Sequence, residues 1–218
     1  MIQFNKITRG NKRQANTEQD LFEVLDAGFL CHVAFTHQGQ PMMIPTAYGR
    51  KGSVLYLHGS THNFMLNTAI QNEKVCISVT HLDGIVLAKS LFNTSVNYRS
   101  AVLFGRFELI EDPDEKLESL HILTEHIIPG RWNEVELGTD QQLKATMAVK
   151  FIIESASVKI RKGDPAGDEA IETSEWSGHI PLKQVACKPV LDTHRNDSAP
   201  LSKSVIQYLN VHAFDENS

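Results

Sequence analysis

Residues 29–61 read FLCHVAFTHQGQPMMIPTAYGRKGSVLYLHGST, and their punctuation decides the fold. Three apolar, strand-like runs stand out: Phe29 to Phe35, Met42 to Tyr48 and Val54 to His58. Gly39-Gln40-Pro41 and Gly49-Arg50-Lys51-Gly52 separate them, which is the chemistry of tight reversals between strands. The third run stops at His58-Gly59-Ser60-Thr61, and a helix-like segment, Phe64 to Ile70, follows at once. A meander that delivers a hydroxyl-rich loop to a helix start is suited to an anion, because free N–H groups, hydroxyls and the helix dipole converge there. A plain strand-to-helix turn with Ser60 or Thr61 as N-cap explains the same residues without a ligand.

Working outward, Thr17 caps a helix with Asp20 in its third position, Leu21, Val24 and Leu25 repeat at helical spacing, and Gly28 ends it. Val75 to Thr80 is a strand by its β-branched content, and Asp83-Gly84 predicts a hairpin with Ile85 to Leu87 returning. Tyr98 to Ile110 is a long strand with Gly105 marking a bulge. Asp112-Pro113 opens a helix whose stripe is Leu117, Leu120, Leu123 and Ile127, and Pro129-Gly130 stops it. His121, Glu125 and His126 on that helix read as a solvated face. A short helix from Asp140 leads to a strand over Met147 to Ile153, and Val205-Ile206 with Tyr208-Leu209 forms a short terminal helix. Many strands with few, separated helices predict an α+β barrel in one domain over 1–218, with 1–16 and about 184–218 as peripheral arms.

At 218 residues, 41% hydrophobic and 22% charged, the chain is an ordinary globular protein. Its net charge of −5 argues against nucleic acid as a partner, and the basic Lys6, Arg9, Lys12 and Arg13 read as a solvated or partner-facing arm. Cys31, Cys76 and Cys187 form no metal or disulfide pattern. With no signal-like or membrane-spanning run, the expected location is the cytoplasm, away from membranes.

This order of elements resembles the pyridoxamine-phosphate-oxidase-like, FMN-binding split-barrel proteins, in the branch of the nitroimidazole-resistance-type flavoproteins. Leu25-Asp26 and Phe29 to Phe35 look like that branch's first helix and strand. Thr80 to Ser90 and Asn97-Tyr98-Arg99-Ser100 look like its central hairpin, and Pro129 to Trp132 and Lys159 to Gly163 match later blocks. The resemblance implies a split β-barrel of six or more mostly antiparallel strands with peripheral helices, and FMN held between two subunits of a homodimer. It implies that Ile44, Pro45 and Thr46 lie beside the isoalloxazine, with His58, Gly59, Ser60 and Thr61 at the phosphate. The family's phosphate loop carries Arg or Lys next, where this chain has His62, Asn63 and Phe64; Lys89 and Arg99 are the substitute cations, in blocks that include Asn97 and Ser100. Lys159, Arg161 and Trp176 fall where relatives cross to the partner's cofactor, and a solvated charge or a core aromatic explains them equally.

His58 and His62 are four apart, but His58 ends a strand, so no metal site is expected. No Gly-x-Gly-x-x-Gly, P-loop or Ser-centred elbow is present, which disfavours a Rossmann dehydrogenase, a kinase and an α/β-hydrolase. The implied function is an FMN-dependent oxidoreductase acting on an unidentified small molecule, with no assignable catalytic side chain. Pyridoxamine-phosphate oxidation itself is not expected, because the basic C-terminal motif for a second phosphate is missing. The alternatives are a non-catalytic protein that binds or senses flavin or haem, and an interaction protein that has lost its cofactor.

Overall fold

A computed structural model describes residues 2–6, 13–15, 17–192, 194 and 200–213. The elements begin with β1 (Gln3–Phe4), β2 (Gln14–Ala15), α1 (Glu18–Asp26), β3 (Leu30–His37), β4 (Gln40–Ala47) and β5 (Gly49–Lys51). Next come β6 (Val54–Ser60), α2 (Phe64–Ala69), β7 (Val75–Leu87), β8 (Ser95–Leu109) and α3 (Pro113–Ile127). The chain finishes with α4 (Asp140–Lys144), β9 (Thr146–Arg161), β10 (Gly178–Pro181) and α5 (Lys203–His212). The main strands pair in the order β4-β3-β7-β8-β9-β6-β5, all antiparallel. β2 and β10 add to β9 and β7, and β1 lies parallel to β9.

The curl of this sheet follows from one residue. β4 is one end of the path and β5 the other, yet only Tyr48 separates them in sequence. The sheet must therefore roll until its two ends nearly meet, which makes the open α+β barrel expected from the sequence. Tyr48 is 0% exposed at this seam; its hydroxyl donates to the Leu25 carbonyl at 2.5 Å, and its ring lies 5.2 Å from that of His126. α3 crosses the seam so closely that a Cβ on Gly49 would sit 2.5 Å from Leu123 Cα. The inner face is apolar, as in the row Ile44, Val33, Ile77, Leu103 and Ala156, and α1 adds Leu21, Val24 and Leu25.

The caps fall largely where the sequence puts them. Thr17 and Asp20 form a capping box, and Asp112 caps α3 with Pro113 in its first turn. Gly105 sits at a bulge where a Cβ would lie 1.9 Å from the Ile152 carbonyl oxygen.

Three expectations change. The opening runs are not a simple meander, since β6 pairs with β5 and β9 and not with β4. Asp83-Gly84 is no hairpin turn: β7 passes through it with only a register shift against β8. Asp83 is held there by a bidentate pair with Arg99, and its carbonyl accepts from Leu182 N, so it stays in the ladder. Glu125 and His126 are not a solvated face: Glu125 accepts from Gly130 and Trp132 N–H and His126 bonds the Gly28 carbonyl, whereas His121 stays exposed beside the Trp132 ring. Lys6 and Arg13, the latter beside β2, are exposed as expected of a solvated arm, and Arg9 and Lys12 lie outside the described residues.

Candidate functional site

The free edge of β4 is the first component. Tyr48 N–H donates to the Phe29 carbonyl at 2.9 Å, which fixes the ladder's alternation. Thr46, Ile44 and Met42 then exchange backbone bonds with β3, while Pro41, Met43, Pro45 and Ala47 turn their backbone groups outward. Both prolines fall on outward positions, so neither costs a ladder bond, and the edge reading of Pro45 holds. No other strand of the described residues covers this edge. It offers a planar heterocycle the carbonyls of Met43, Pro45 and Ala47 and the N–H groups of Met43 and Ala47.

Side chains alternate in the same way. Pro45 shares the outer sheet face with His32, Ser78, Val102 and Ser157, and Met43 with Ala34, Cys76, Phe104 and Ser155. Ser100 and Lys159 follow on that outer face with Thr80. Ile44 and Thr46 point to the inner face, where Thr46 stands opposite buried Cys31. Burial pushes the Cys31 thiol up to about 12, so it stays protonated.

The loop after β6 is the second component, and its donors are already used. Thr61 N–H donates to the Ala145 carbonyl at 3.0 Å, His62 N–H to Ser60 Oγ at 3.2 Å, and Asn63 N–H to the Ser60 carbonyl at 2.8 Å. The cap of α2 is Asn63, whose side chain accepts from Leu66 N–H at 2.9 Å; neither Ser60 nor Thr61 caps it. α2 has six residues, fewer than the sequence suggested. What the loop does present is imidazole. His62 meets only the Thr61 hydroxyl at 3.4 Å, packing around His58 lowers its pKa through desolvation, and the His37 ring lies 5.0 Å from Phe64.

The expected cations lie elsewhere. Ser60 pairs with Thr146 at the start of β9, and Arg99 with Ile160 near its end. The fourteen steps between those two positions, at about 3.3 Å each, are on the order of 45 Å along the strand. Arg99 is taken up by Asp83, whose hydrogen bond raises its pKa, and Lys89 Nζ donates to the Ile171 carbonyl at 3.0 Å beside Asp168. Within one subunit neither reaches the loop. Asn97 is buried between Gly163 and Arg161, and Trp176 is 62% exposed with its ring over Gly178. The free edge was legible from two prolines of the same parity, Pro41 and Pro45; the spent donors of the loop had no signal in sequence.

A family model described as pyridoxamine 5'-phosphate oxidase matches residues 17–160, from the cap of α1 to the end of β9. This chain belongs to that family. Among solved structures of similar fold is the FAD and haem binding protein of Mycobacterium smegmatis, 36% identical, TM-score 0.84, over 90% of this chain and 97% of that one. The flavocytochrome Anf3 of Azotobacter vinelandii is 30% identical, TM-score 0.85, over 93% and 94%. A protein assigned to 5-nitroimidazole antibiotic resistance in Bacteroides thetaiotaomicron shares the fold at 23% identity and TM-score 0.57, over 67% and 86%. No curated protein matches the chain in sequence. Among the described residues no helix is long and apolar enough to cross a membrane, and no group of three or more metal-ligating side chains assembles.

Proposed function

We propose that this chain binds a flavin and a haem and works as an electron-transferring oxidoreductase on a small molecule. One observation carries the reading: the likeness to the flavocytochrome and to the FAD and haem binding protein runs over nine-tenths of both chains. It therefore takes in the segment after residue 160, where the family match ends. That segment is structured here by β10 on β7 and by α5, whose first turn is tied to Glu134 through Ser204.

The residues fit a flavin. The outward backbone groups of Met43, Pro45 and Ala47 supply donors and acceptors to a ring, and it is this main chain, not the Thr46 side chain, that we place against it. We favour FAD over the FMN expected from the sequence, because the loop at Ser60–Asn63 has spent its N–H groups and carries no cation to hold a terminal phosphate. For a haem, His37 and His62 offer imidazoles at the start of α2, with Phe64 as an apolar wall, and His58 on β6 is a third candidate. The two groups supply the one-electron and hydride chemistry; the chain orients them and shapes the pocket.

The outer sheet face around Met43, Cys76 and Phe104 is where we seat a second copy, giving a homodimer. The free thiols Cys31, Cys76 and Cys187 fit the cytoplasm.

An absorption spectrum of the purified protein tests the reading, with flavin bands and a Soret band expected together. Chromatography of the released flavin should give FAD; FMN would return the phosphate to the loop. Colourless protein that takes up neither FAD nor haemin would overturn the proposal in favour of an interaction protein. Alanine at His37, His58 and His62 in turn would show which histidine holds the haem, by loss of the Soret band.

A further inference from the structure

β3 pairs with β7 only over Cys76 to Ser78; beyond that point β7 and β8 run on together, and β10 joins β7 to form an arm. One face of the arm is packed: Val86 is buried, and Asn97, also buried, donates to the Gly163 carbonyl at 3.1 Å. The other face carries Ile180, Ile85 and Val96 in one cross-strand row, all three exposed. A sheet face meant for water alternates to polar residues, so aliphatic side chains in register on both faces mark a strand covered on both. At the end of the arm Leu91 and Phe92 are 95% and 94% exposed. The turn that carries them is fixed on both sides: buried Asp168 accepts from Ser90 N–H and Ser90 Oγ at 2.8 Å, and from Asn93 Nδ2 at 2.5 Å.

The spacing along this face is self-complementary. Leu82, exposed, shares the outer face with Cys76 and Phe104 at one end and with Ile85 and Val96 at the other. From Leu82 it is six residues to Cys76, about 20 Å, and five to the end of β7 at Leu87, about 16 Å, with the Leu91–Phe92 turn just beyond. A two-fold axis crossing the strands at Leu82 therefore brings each tip over the other subunit's row of Met43, Cys76 and Phe104, and each Ile85 over the other's small Ser78 and Thr80. Lys89 beside the tip is matched by Asp168 and Glu169, so the turn lacks the basic surround that holds an apolar loop on an anionic bilayer. We propose that Leu91 and Phe92 of each subunit seat on Met43, Cys76 and Phe104 of a second copy and so supply, in trans, an apolar wall beside the free β4 edge. The contact rests on the homodimer proposed above, and the wall rests on the flavin.

Cross-linking tests the contact without any flavin. In a Cys76→Ser/Cys187→Ser protein the remaining thiol, Cys31, is buried. Leu82→Cys in that background should link to its own counterpart through a short bismaleimide, doubling the mass on a denaturing gel. Met43→Cys and Phe92→Cys, made as separate proteins and mixed to exchange subunits, should link to each other and neither to itself, because the two positions lie on the order of 40 Å apart in one chain. Phe92→Ser, at a side chain its own subunit does not pack, should keep its circular dichroism and bind riboflavin about tenfold more weakly. A wild-type dimer in light scattering with neither link overturns the seating of the tip and leaves the homodimer standing, whereas a monomer removes both. Links together with unchanged riboflavin affinity in Phe92→Ser overturn the wall in trans. Riboflavin that does not bind even the wild-type protein defeats the flavin reading and the wall with it, while positive links still establish the seated tip.

Discussion

Pro45 and Tyr48 are three residues apart and serve opposite ends. Tyr48 lies at the seam where the sheet's two ends meet, fully buried, its hydroxyl bonded to Leu25 and α3 pressed against its neighbour Gly49. Pro45 lies on the edge that stays open, its side chain exposed and its backbone turned away from the ladder. The chain thus closes its barrel with side-chain packing and leaves it open with main chain. The contrast teaches where variation should be expensive: at the seam it should act on folding, and on the open side on assembly and ligands.

The sharpest way to break this contrast is at Gly49. A methyl group there would meet helix backbone, which cannot swing aside as a flexible side chain would. Gly49→Ala should lower unfolding stability by about 3 kcal/mol, measured by urea denaturation. A loss below about 1 kcal/mol would mean that α3 rides loosely on the seam. On the open side, Met43, 62% exposed, is the counterpart. Met43→Lys should leave the urea midpoint nearly unchanged while weakening self-association by about 2 kcal/mol, some thirtyfold, read by light scattering over a dilution series. An unaltered dimer would move the subunit interface off this face.

The seam also shows what sequence could and could not tell. Capping residues act within three or four positions, so Thr17, Asp112 and Pro113 announced their helices, and Gly105 announced its bulge. The family's fold was readable from the order of such local signals. Partners set by long-range closure were not. Asp83-Gly84 has the composition of a turn, and partners distant in sequence keep it in a strand: Arg99, sixteen residues on, and β10, nearly a hundred. The Ser60–Thr61 loop looks like an anion site in composition, yet its N–H groups are taken by Ala145, Ser60 and its own turn.

A smaller test at the seam itself is Tyr48→Phe. The ring keeps its place, while the Leu25 carbonyl loses its donor in a dry site. The expected loss is about 1.5 kcal/mol, between the worth of a neutral hydrogen bond and the cost of an unpaired buried carbonyl. Isosteric packing alone would predict almost none, so the urea midpoint separates the two accounts.

The smallest effect should come from His126, the residue that roofs Tyr48. Burial lowers its pKa, outweighing the hydrogen bond to the Gly28 carbonyl that raises it, so the folded protein keeps this imidazole neutral. In the unfolded chain the ring titrates near its ordinary value, about 6.5. Above that pH neither state binds the proton and the group contributes no pH dependence. As pH falls through 6.5 the unfolded chain takes up the proton first, so stability drops until the depressed folded value is also passed. His58, lowered in the same way by desolvation, adds to the slope, so the informative quantity is a difference between proteins. In His126→Gln the amide can still donate to Gly28 and nothing titrates. Urea midpoints from pH 8 to pH 5 should therefore fall less steeply for the variant than for the wild-type protein. Parallel curves would show that the His126 proton is bound as readily in the folded chain as in the unfolded one, and that the seam is wetter there than its packing implies.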